Sequence, residues 1–169
     1  MPKNVEVKAR LADPAGARAT ARRLSGADAE VIDQHDIFFR IPRGRLKLRM
    51  FSGGAGELIE YHRPDAVGAR TSSYRIAKTP DAVTLRDILV NAGLAVIGEV
   101  RKRRLLYLVG QTRVHLDCVE GLGDFLELEV VLRDDQPESE GNAIAQELMA
   151  AFGLERGALI AGAYVDMLT

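Results

Sequence analysis

Arg45-Leu46-Lys47-Leu48-Arg49-Met50-Phe51 alternates charged and apolar side chains. Side chains of a β-strand point alternately to its two faces, so the bases share one face and most apolar side chains share the other. Like charges stacked on one face repel each other, and a fold does not need them. We therefore interpret this segment as a strand whose basic face serves a ligand.

Four other segments that resemble strands also place polar or charged side chains two residues apart. They are Asn4-Val5-Glu6-Val7-Lys8, Lys102-Arg103-Arg104, His115-Leu116-Asp117 and Glu127-Leu128-Glu129. Some of these faces carry acids and others carry bases. A ligand that is anionic and also binds divalent cations would use both sets, and a nucleotide or another polyphosphate fits that description.

Alternation and turn residues divide the rest of the chain into further elements. Strands are predicted over residues 3–11, 30–41, 45–51, 57–63, 71–78, 94–109, 112–119 and 125–133. Asp13-Pro14 and Thr79-Pro80-Asp81 each predict a helix start. A third helix is predicted over residues 142–152, and the apolar tail, residues 158–168, is predicted to pack down as a short helix.

About eight strands joined mainly by hairpins predict an α+β fold, an antiparallel β-barrel that is closed or nearly closed. Most small barrels place apolar residues inside. Here the charged faces are dense, and amphipathic helices are available to cover the apolar faces from outside. We therefore expect an eight-stranded barrel with a charged lumen and peripheral helices, with residues 1–169 forming one domain.

Composition narrows the classes of protein. The formal net charge of −1 argues against nucleic-acid binding by bulk charge. The single cysteine excludes an intrachain disulfide and suits the reducing cytoplasm. No run approaches the roughly 20 apolar residues that span a bilayer. We expect a cytoplasmic protein, monomeric or homodimeric, with neither nucleic acid nor membrane among its partners.

The motifs together resemble those of the CYTH superfamily, the triphosphate tunnel metalloenzymes. Asn4-x-Glu6-x-Lys8 resembles the E-x-E-x-K signature of that family, with Asn4 in the place of a glutamate. The later pieces follow in the expected order, and they are Gly44 to Arg49, Val100-x-Lys102-x-Arg104-x-x-Tyr107 and His115 to Glu129. The Gly-Leu-Gly-x-Phe-x-Glu-x-Glu ending is most similar to the branch named for class IV adenylyl cyclases.

This resemblance implies a tunnel that binds a triphosphate end-on with one or two Mg²⁺ or Mn²⁺ ions. The implied catalytic acids are Glu6, Asp117, Glu127 and Glu129, and the implied metal ligands are the same four residues and Asn4. The implied substrate-binding residues are Lys8, Lys47, Arg49, Arg63, Lys102 and Arg104. An amide oxygen at position 4 can coordinate a hard cation but supplies no charge.

Several activities stay open at this point. An enzyme of this branch forms cyclic AMP and pyrophosphate from ATP or hydrolyses the triphosphate, and the fold also serves inorganic and thiamine triphosphatases. A second hypothesis is a non-catalytic triphosphate- or nucleotide-binding module in which Asn4 marks a weakened metal site. A third is a basic barrel that binds RNA or DNA, which predicts affinity falling steeply with salt.

Three further side-chain types have weaker signals. His115 shares a face with Asp117, and a structural hydrogen-bonding role is favoured over a role as general base. Cys118 falls on the apolar side of its strand, where we expect a buried small hydrophobic residue. Candidates for stacking on a base, or equally for core packing, are Tyr61, Tyr74 and Tyr107.

Overall fold

Residues 1–168 are described by a computed structural model. Its elements are β1 (Lys3–Arg10), α1 (Pro14–Ser25), β2 (Glu30–Phe39), β3 (Arg45–Phe51), β4 (Gly56–His62), β5 (Arg70–Thr79), α2 (Ala82–Asn91), β6 (Val96–Val109), β7 (Thr112–Val119), β8 (Gly123–Val131), α3 (Glu138–Ala151), a 3-10 turn (Arg156–Ala158) and α4 (Tyr164–Met167).

The strands form a closed antiparallel barrel in the order β1-β5-β4-β3-β2-β6-β7-β8, with β8 returning to β1. Five of the ladders join strands that are consecutive in sequence, as the hairpin pattern predicts. The eight-stranded α+β barrel predicted from the alternation is thereby confirmed. Every strand pairs on both sides, so the backbone polar groups of the sheet are used within it.

Much of the outer face of the barrel is apolar and covered by helices. Helices α1 and α3 cover β1, β6, β7 and β8, where Val7, Leu126 and Leu128 are fully buried. Burying such a side chain contributes about 1.5–3 kcal/mol. Helix α2 covers a second outer cluster that includes Phe39 and Leu48. The apolar side of each alternating strand thus faces the helices, which leaves the charged side for the lumen.

Local signals set the helix starts. The Asp13 side chain accepts a hydrogen bond from the Gly16 amide at 3.0 Å, and the Asp81 side chain accepts one from the Thr84 amide at 3.0 Å. Both predicted starts are confirmed as N-caps. Helix α3 begins at Glu138, four residues before the predicted start at 142, because the first turn extends back to Pro137 and carries acids that favour a helix N-terminus.

The C-terminal segment closes one end of the barrel. Tyr164 and Val165 of α4 are buried against lumen side chains at that end, namely Phe38, Val100, Val119 and Phe125. A Cβ atom on Gly98 would lie 2.3 Å from Val165 Cγ2, so glycine permits this close approach. The Ile160 amide also donates to the Lys8 carbonyl at 2.9 Å. We call this the closed end, and the other end the mouth.

Across residues 1–168, the helices are all too short or too polar to cross a bilayer.

Candidate functional site

The lumen is a cavity of about 240 Å³ whose lining comes from all eight strands and from α4. Ten residues predicted from the sequence line it: Asn4, Glu6, Lys8, Lys47, Arg49, Arg63, Lys102, Arg104, Glu127 and Glu129. The strand register explains their proximity, since Glu6 pairs with Glu129 and Lys8 pairs with Glu127 across the β1–β8 ladder. Asp117, the eleventh, lies behind Arg104 and Lys102 and is 1% exposed.

One side of the lumen, on β2, β3 and β6, carries most of the bases. We call it the basic wall, and its members are Asp36, Lys47, Arg49, Lys102 and Arg104, with Asp117 behind them. Arg49 donates to both carboxylate oxygens of Asp36, each at 2.8 Å, and Lys47 Nζ lies 3.3 Å from the same carboxylate. Burial alone would raise the pKa of Asp36, but Arg49 and Lys47 together hold it well below its usual range.

Asp117, the second carboxylate of the basic wall, also accepts hydrogen bonds from several side chains. Arg104 donates to the two oxygens of Asp117 at 2.7 and 2.8 Å, and Lys102 Nζ and the Tyr164 hydroxyl donate to it at 3.2 and 3.1 Å. Burial opposes ionisation, yet Arg104 and Lys102 hold the pKa of Asp117 well below its usual range. Burial and the neighbouring Arg104 lower the pKa of Lys102 to about 7. The oxygens of Asp117 are therefore occupied by side chains of the protein.

The acidic wall consists of Glu6, Glu127 and Glu129 on β1 and β8, and its acids have fewer contacts. Glu6 accepts one hydrogen bond from Arg63 at 3.2 Å, and the nearest cationic atoms to Glu127 and Glu129 lie at 3.6 and 3.1 Å. Burial, together with the charges of Glu127 and Glu129, raises the pKa of Glu6 to about 7. Burial works against the charge of Glu127 as well, but Lys8 and Arg104 hold its pKa well below its usual range, so Glu6 is the acid of this wall that the chain neutralises least.

Near the acidic wall, the buried polar atoms that find no hydrogen-bond partner within residues 1–168 include two potential metal ligands. They are Asn4 Oδ1 and His115 Nδ1, and each residue is 3% exposed. An unpaired buried polar group costs about 1–3 kcal/mol, so such atoms point to a partner that is not protein. His115, Glu127 and Glu129 each offer one ligand atom, and these atoms lie within 4.8 Å of one another. The donor set fits a divalent cation.

His115 and Lys8 have strongly shifted pKa values. Burial and the charge of Arg104 lower the pKa of His115 to about 4, so its imidazole is neutral near pH 7. Burial lowers the pKa of Lys8 to about 8. The Lys8 ammonium lies 4.0 Å from the centre of the Tyr164 ring, which compensates part of its lost hydration.

Cations also converge near the closed end on a single backbone oxygen. Lys8 Nζ, Arg63 Nη2 and Arg70 Nη2 donate to the Gly162 carbonyl at 3.3, 2.8 and 3.4 Å. A neutral carbonyl does not neutralise three positive charges. Arg63 also contacts Glu6, which neutralises part of the positive charge that gathers here.

The mouth is more apolar than the middle of the lumen. Its lining side chains include Ile32, Phe51, Ile59, Tyr74, Ile76 and Leu106. Ile76 is 42% exposed, which marks the transition from lumen to solvent. The lumen thus runs from an apolar mouth through a charged middle to the closed end.

Among the residues in or beside the lumen that sequence reasoning missed are Asp36, Arg70, Arg113 and Tyr164. Asp36 and Arg113 had a usable signal, because each lies two residues from another polar lumen residue in an alternating strand. Arg70 follows a loop, and the position of Tyr164 depends on how the tail folds back. No local pattern signals either one.

Two weaker sequence signals are now resolved. Tyr61 and Tyr74 line the lumen, whereas Tyr107 packs in the outer cluster under α1 and α3. The expectation of a buried Cys118 is wrong, because this residue is exposed. Its ladder partners are Arg103 and Asp124, so this part of the outer face is polar and no apolar cluster forms over it.

Comparison with solved structures supports the same architecture. The PH1012 protein from Pyrococcus horikoshii superposes with a TM-score of 0.83 at 24% identity, covering 96% of this chain and 98% of that one. The Pct1 RNA triphosphatase of Schizosaccharomyces pombe, in complex with the Spt5 CTD, gives a TM-score of 0.56 at 12% identity, covering 94% and 86%. At such identities these likenesses concern the fold alone.

Curated relatives match along nearly the whole chain. Adenylate cyclase CyaB of Aeromonas hydrophila is 26% identical over 170 residues, which are 95% of this chain and 85% of the relative. A Methanocaldococcus jannaschii protein that also has adenylate cyclase in its name is 24% identical over 96% of this chain and 97% of its own length. The family model of the CYTH domain matches residues 2–164. With its closed barrel and charged lumen, the chain belongs to the CYTH domain family.

Proposed function

We propose that this protein is a divalent-metal-dependent enzyme that binds a nucleoside triphosphate end-on in the lumen and converts ATP to cyclic AMP and pyrophosphate. The observation that carries the proposal is the segregation of charge inside one cavity. Buried bases on β3 and β6 face buried acids on β1 and β8. A metal-bound polyphosphate is the ligand that uses both walls.

The basic wall would hold the β- and γ-phosphates. Arg49 and Arg104 can each present paired N–H donors, and Lys47 and Lys102 add mobile point charges. Asp36 and Asp117 pair with these bases in the lumen, which keeps the cationic side chains extended and oriented before any ligand arrives. Preorientation of this kind lowers the entropic cost of binding.

Glu6, Glu127 and Glu129 are the residues that would hold Mg²⁺ or Mn²⁺, with Asn4 as a neutral oxygen ligand. A bound ion of this kind would neutralise phosphate charge during transfer. The earlier expectation that Asp117 is also a ligand stays a prediction. Its four hydrogen bonds favour a role in orienting Arg104 and Lys102.

The apolar mouth favours an organic triphosphate over an inorganic one. A base at the mouth could pack against Tyr74, Ile76 and Leu106 while its phosphates lie deeper. Aromatic and aliphatic side chains gain little from a fully charged inorganic anion. The adenylate cyclase names of the two curated relatives point to the same class of substrate.

In the proposed reaction, the 3′-oxygen of ATP bonds to the α-phosphorus, and the bond from that phosphorus to the bridging oxygen breaks. Pyrophosphate leaves with the bonding electron pair, and the hydroxyl proton leaves to solvent. Lys47, Arg49, Lys102 and Arg104 would stabilise the charge that develops on the leaving pyrophosphate.

Hydrolysis of a terminal phosphate is the second candidate. A lumen of about 240 Å³ is small for a whole nucleotide but accommodates a polyphosphate. Water would attack the terminal phosphorus, the bond from that phosphorus to the bridging oxygen would break, and orthophosphate and the remaining diphosphate would leave. An inorganic triphosphatase would not use the mouth, whereas a thiamine triphosphatase would place the organic part of its substrate there.

Product analysis tests the two candidates. The protein is incubated with Mg²⁺ or Mn²⁺ and, separately, with ATP or inorganic triphosphate, and the products are separated by chromatography. We expect cyclic AMP and pyrophosphate from ATP. Orthophosphate from either substrate, without cyclic AMP, would replace the cyclase proposal by the hydrolase.

The neutral residue at position 4 gives a test of the non-catalytic alternative. If neither substrate turns over but triphosphate binding is measurable by calorimetry, the protein is a binding module. Asn4→Glu then adds the charge that the resemblance leads us to expect there. A large gain in turnover would mean that Asn4 limits catalysis, and little change would mean that the other acids suffice.

A further inference from the structure

We propose that His115 is a nitrogen ligand of the bound cation, so that the site prefers Mn²⁺ to Mg²⁺. This rests on the metal dependence proposed above and adds a residue that the family resemblance does not supply. It also assigns a purpose to a buried side chain that the proposed reaction does not otherwise use.

The geometry around His115 carries this assignment. Nδ1 lies 4.0 Å from Glu129 Oε1, which is too long for a hydrogen bond. Two ligand atoms on opposite sides of one ion, each about 2.1 Å from it, are about 4.2 Å apart. The gap between this imidazole and this carboxylate therefore has the size that a shared small cation requires.

Two further observations support the assignment. His115 Nδ1 is buried and, within the described part of the chain, is without a hydrogen-bond partner, although Glu127 and Glu129 are its neighbours across and along the ladder. The three ligand atoms also lie within 4.8 Å of one another, so small side-chain rotations bring them onto one centre. The imidazole thus points into a cluster of acids without satisfying its own polar atom.

Ligand chemistry then predicts which metal is favoured. Mg²⁺ prefers oxygen ligands and keeps several waters, whereas first-row transition ions accept imidazole nitrogen readily. A site with one imidazole and two carboxylates therefore discriminates against Mg²⁺. Oxygen-only sites also bind Mn²⁺, so the contribution of His115 is the part of the preference that is lost when its nitrogen is removed.

The test combines pulsed electron paramagnetic resonance with calorimetry on the full chain. Mn²⁺ is added to the wild type, His115→Gln and Gln34→Met, each with and without inorganic triphosphate. Gln34 is a matched control, because it is a buried lumen residue on β2. Thermal melts monitored by circular dichroism check that all three proteins are folded.

We expect modulation of the Mn²⁺ signal by a directly bound ¹⁴N in the wild type and in Gln34→Met, and its loss in His115→Gln. The ratio of Mn²⁺ to Mg²⁺ affinity should fall by about tenfold in His115→Gln alone. Bound Mn²⁺ without nitrogen modulation, or the absence of Mn²⁺ binding, would overturn the assignment. Neither readout needs turnover, so failure of the proposed reaction would be seen separately.

Discussion

The basic wall and the acidic wall of the lumen differ in how closely their carboxylates are paired with cationic side chains. On the basic wall, Asp36 and Asp117 are each held by a two-point arginine contact and by a lysine. On the acidic wall, Glu127 and Glu129 lie 3.6 and 3.1 Å from one arginine each. The acids of the basic wall are thus paired through close two-point contacts, whereas those of the acidic wall have fewer contacts and Glu6 is neutralised least.

This difference separates charges that build the site from charges that serve a ligand. Breaking a fully paired buried cluster leaves uncompensated charge and costs stability. Neutralising Glu6, whose charge is disfavoured by burial and by the neighbouring acids, costs little stability and instead removes affinity for a cation. Substitutions on the two walls should therefore affect different measurable properties.

The largest effect on stability is expected for Asp117→Asn. This change leaves Arg104 and Lys102 buried beside a neutral amide, so the free energy of unfolding in urea should fall by about 3–5 kcal/mol. Asp33→Asn is the matched control, because Arg103 also contacts Asp33 through two nitrogens but on the exposed outer face. That variant should lose far less. Equal losses would remove the distinction between buried and exposed clusters.

Glu6→Gln should show the reverse pattern. The change keeps side-chain shape and removes a charge that burial and the neighbouring charges of Glu127 and Glu129 disfavour, so unfolding in urea should be unchanged or slightly more difficult. Metal-dependent turnover should fall by about 10²- to 10³-fold, because an electrostatic group of the proposed reaction is lost. Glu57→Gln, at the mouth, is the control for a lining acid outside the acidic wall. A stable variant with wild-type turnover would contradict the proposed role of the acidic wall.

Lys47→Ala should weaken binding of inorganic triphosphate by about 10-fold or somewhat more, since one charge-assisted contact is lost. The affinity is measured by calorimetry. Lys78→Ala provides the control, because Lys78 is an exposed base on β5. If both variants bind equally, the affinity comes from the overall charge of the protein and not from the basic wall.

The smallest expected effect is a change in the number of bound protons when triphosphate binds. Burial and the neighbouring charge of Arg104 lower the pKa of Lys102 to about 7. Burial lowers the pKa of Lys8 to about 8, although the charge of Glu127 opposes this shift. At pH 8 both side chains are therefore partly neutral. A bound triphosphate favours their charged forms, and binding at pH 8 should therefore take up a fraction of a proton. Calorimetry in two buffers of different ionisation enthalpy measures it.

In Lys102→Met this uptake should shrink. At pH 6 both lysines are already protonated before binding, so the uptake should be smaller there in the wild type too. Equal proton uptake at pH 8 in the wild type and in Lys102→Met would mean that Lys102 does not gain a proton on binding.

Much of the fold follows from the sequence because alternation is a local signal. The charged faces of Arg45 to Phe51 and Phe125 to Glu129 point into the lumen, as their spacing predicts. The contacts between particular acids and particular bases do not follow from alternation. The Asp36–Arg49 contact depends on the β2–β3 register, and no local pattern fixes it. The sequence thus predicts which side chains face the lumen better than it predicts which of them contact each other.

The tail illustrates the same limit. An apolar segment that packs down is predictable from composition, but its place is set by long-range contacts. Tyr164 enters the barrel, and the Gly162 carbonyl meets cations from three separate strands or loops. Cys118 fails for a related reason, because alternation assigns a face but does not say whether a helix covers it.

The closed end determines the order in which the parts of a ligand enter and leave the lumen. With α4 seated among Phe38, Val100, Val119 and Phe125, entry and exit share the mouth. The part of a ligand that enters first must leave last, so a terminal pyrophosphate would be trapped until the nucleoside part in front of it has departed. This order predicts that the products are released one after the other and that pyrophosphate competes directly with the incoming substrate.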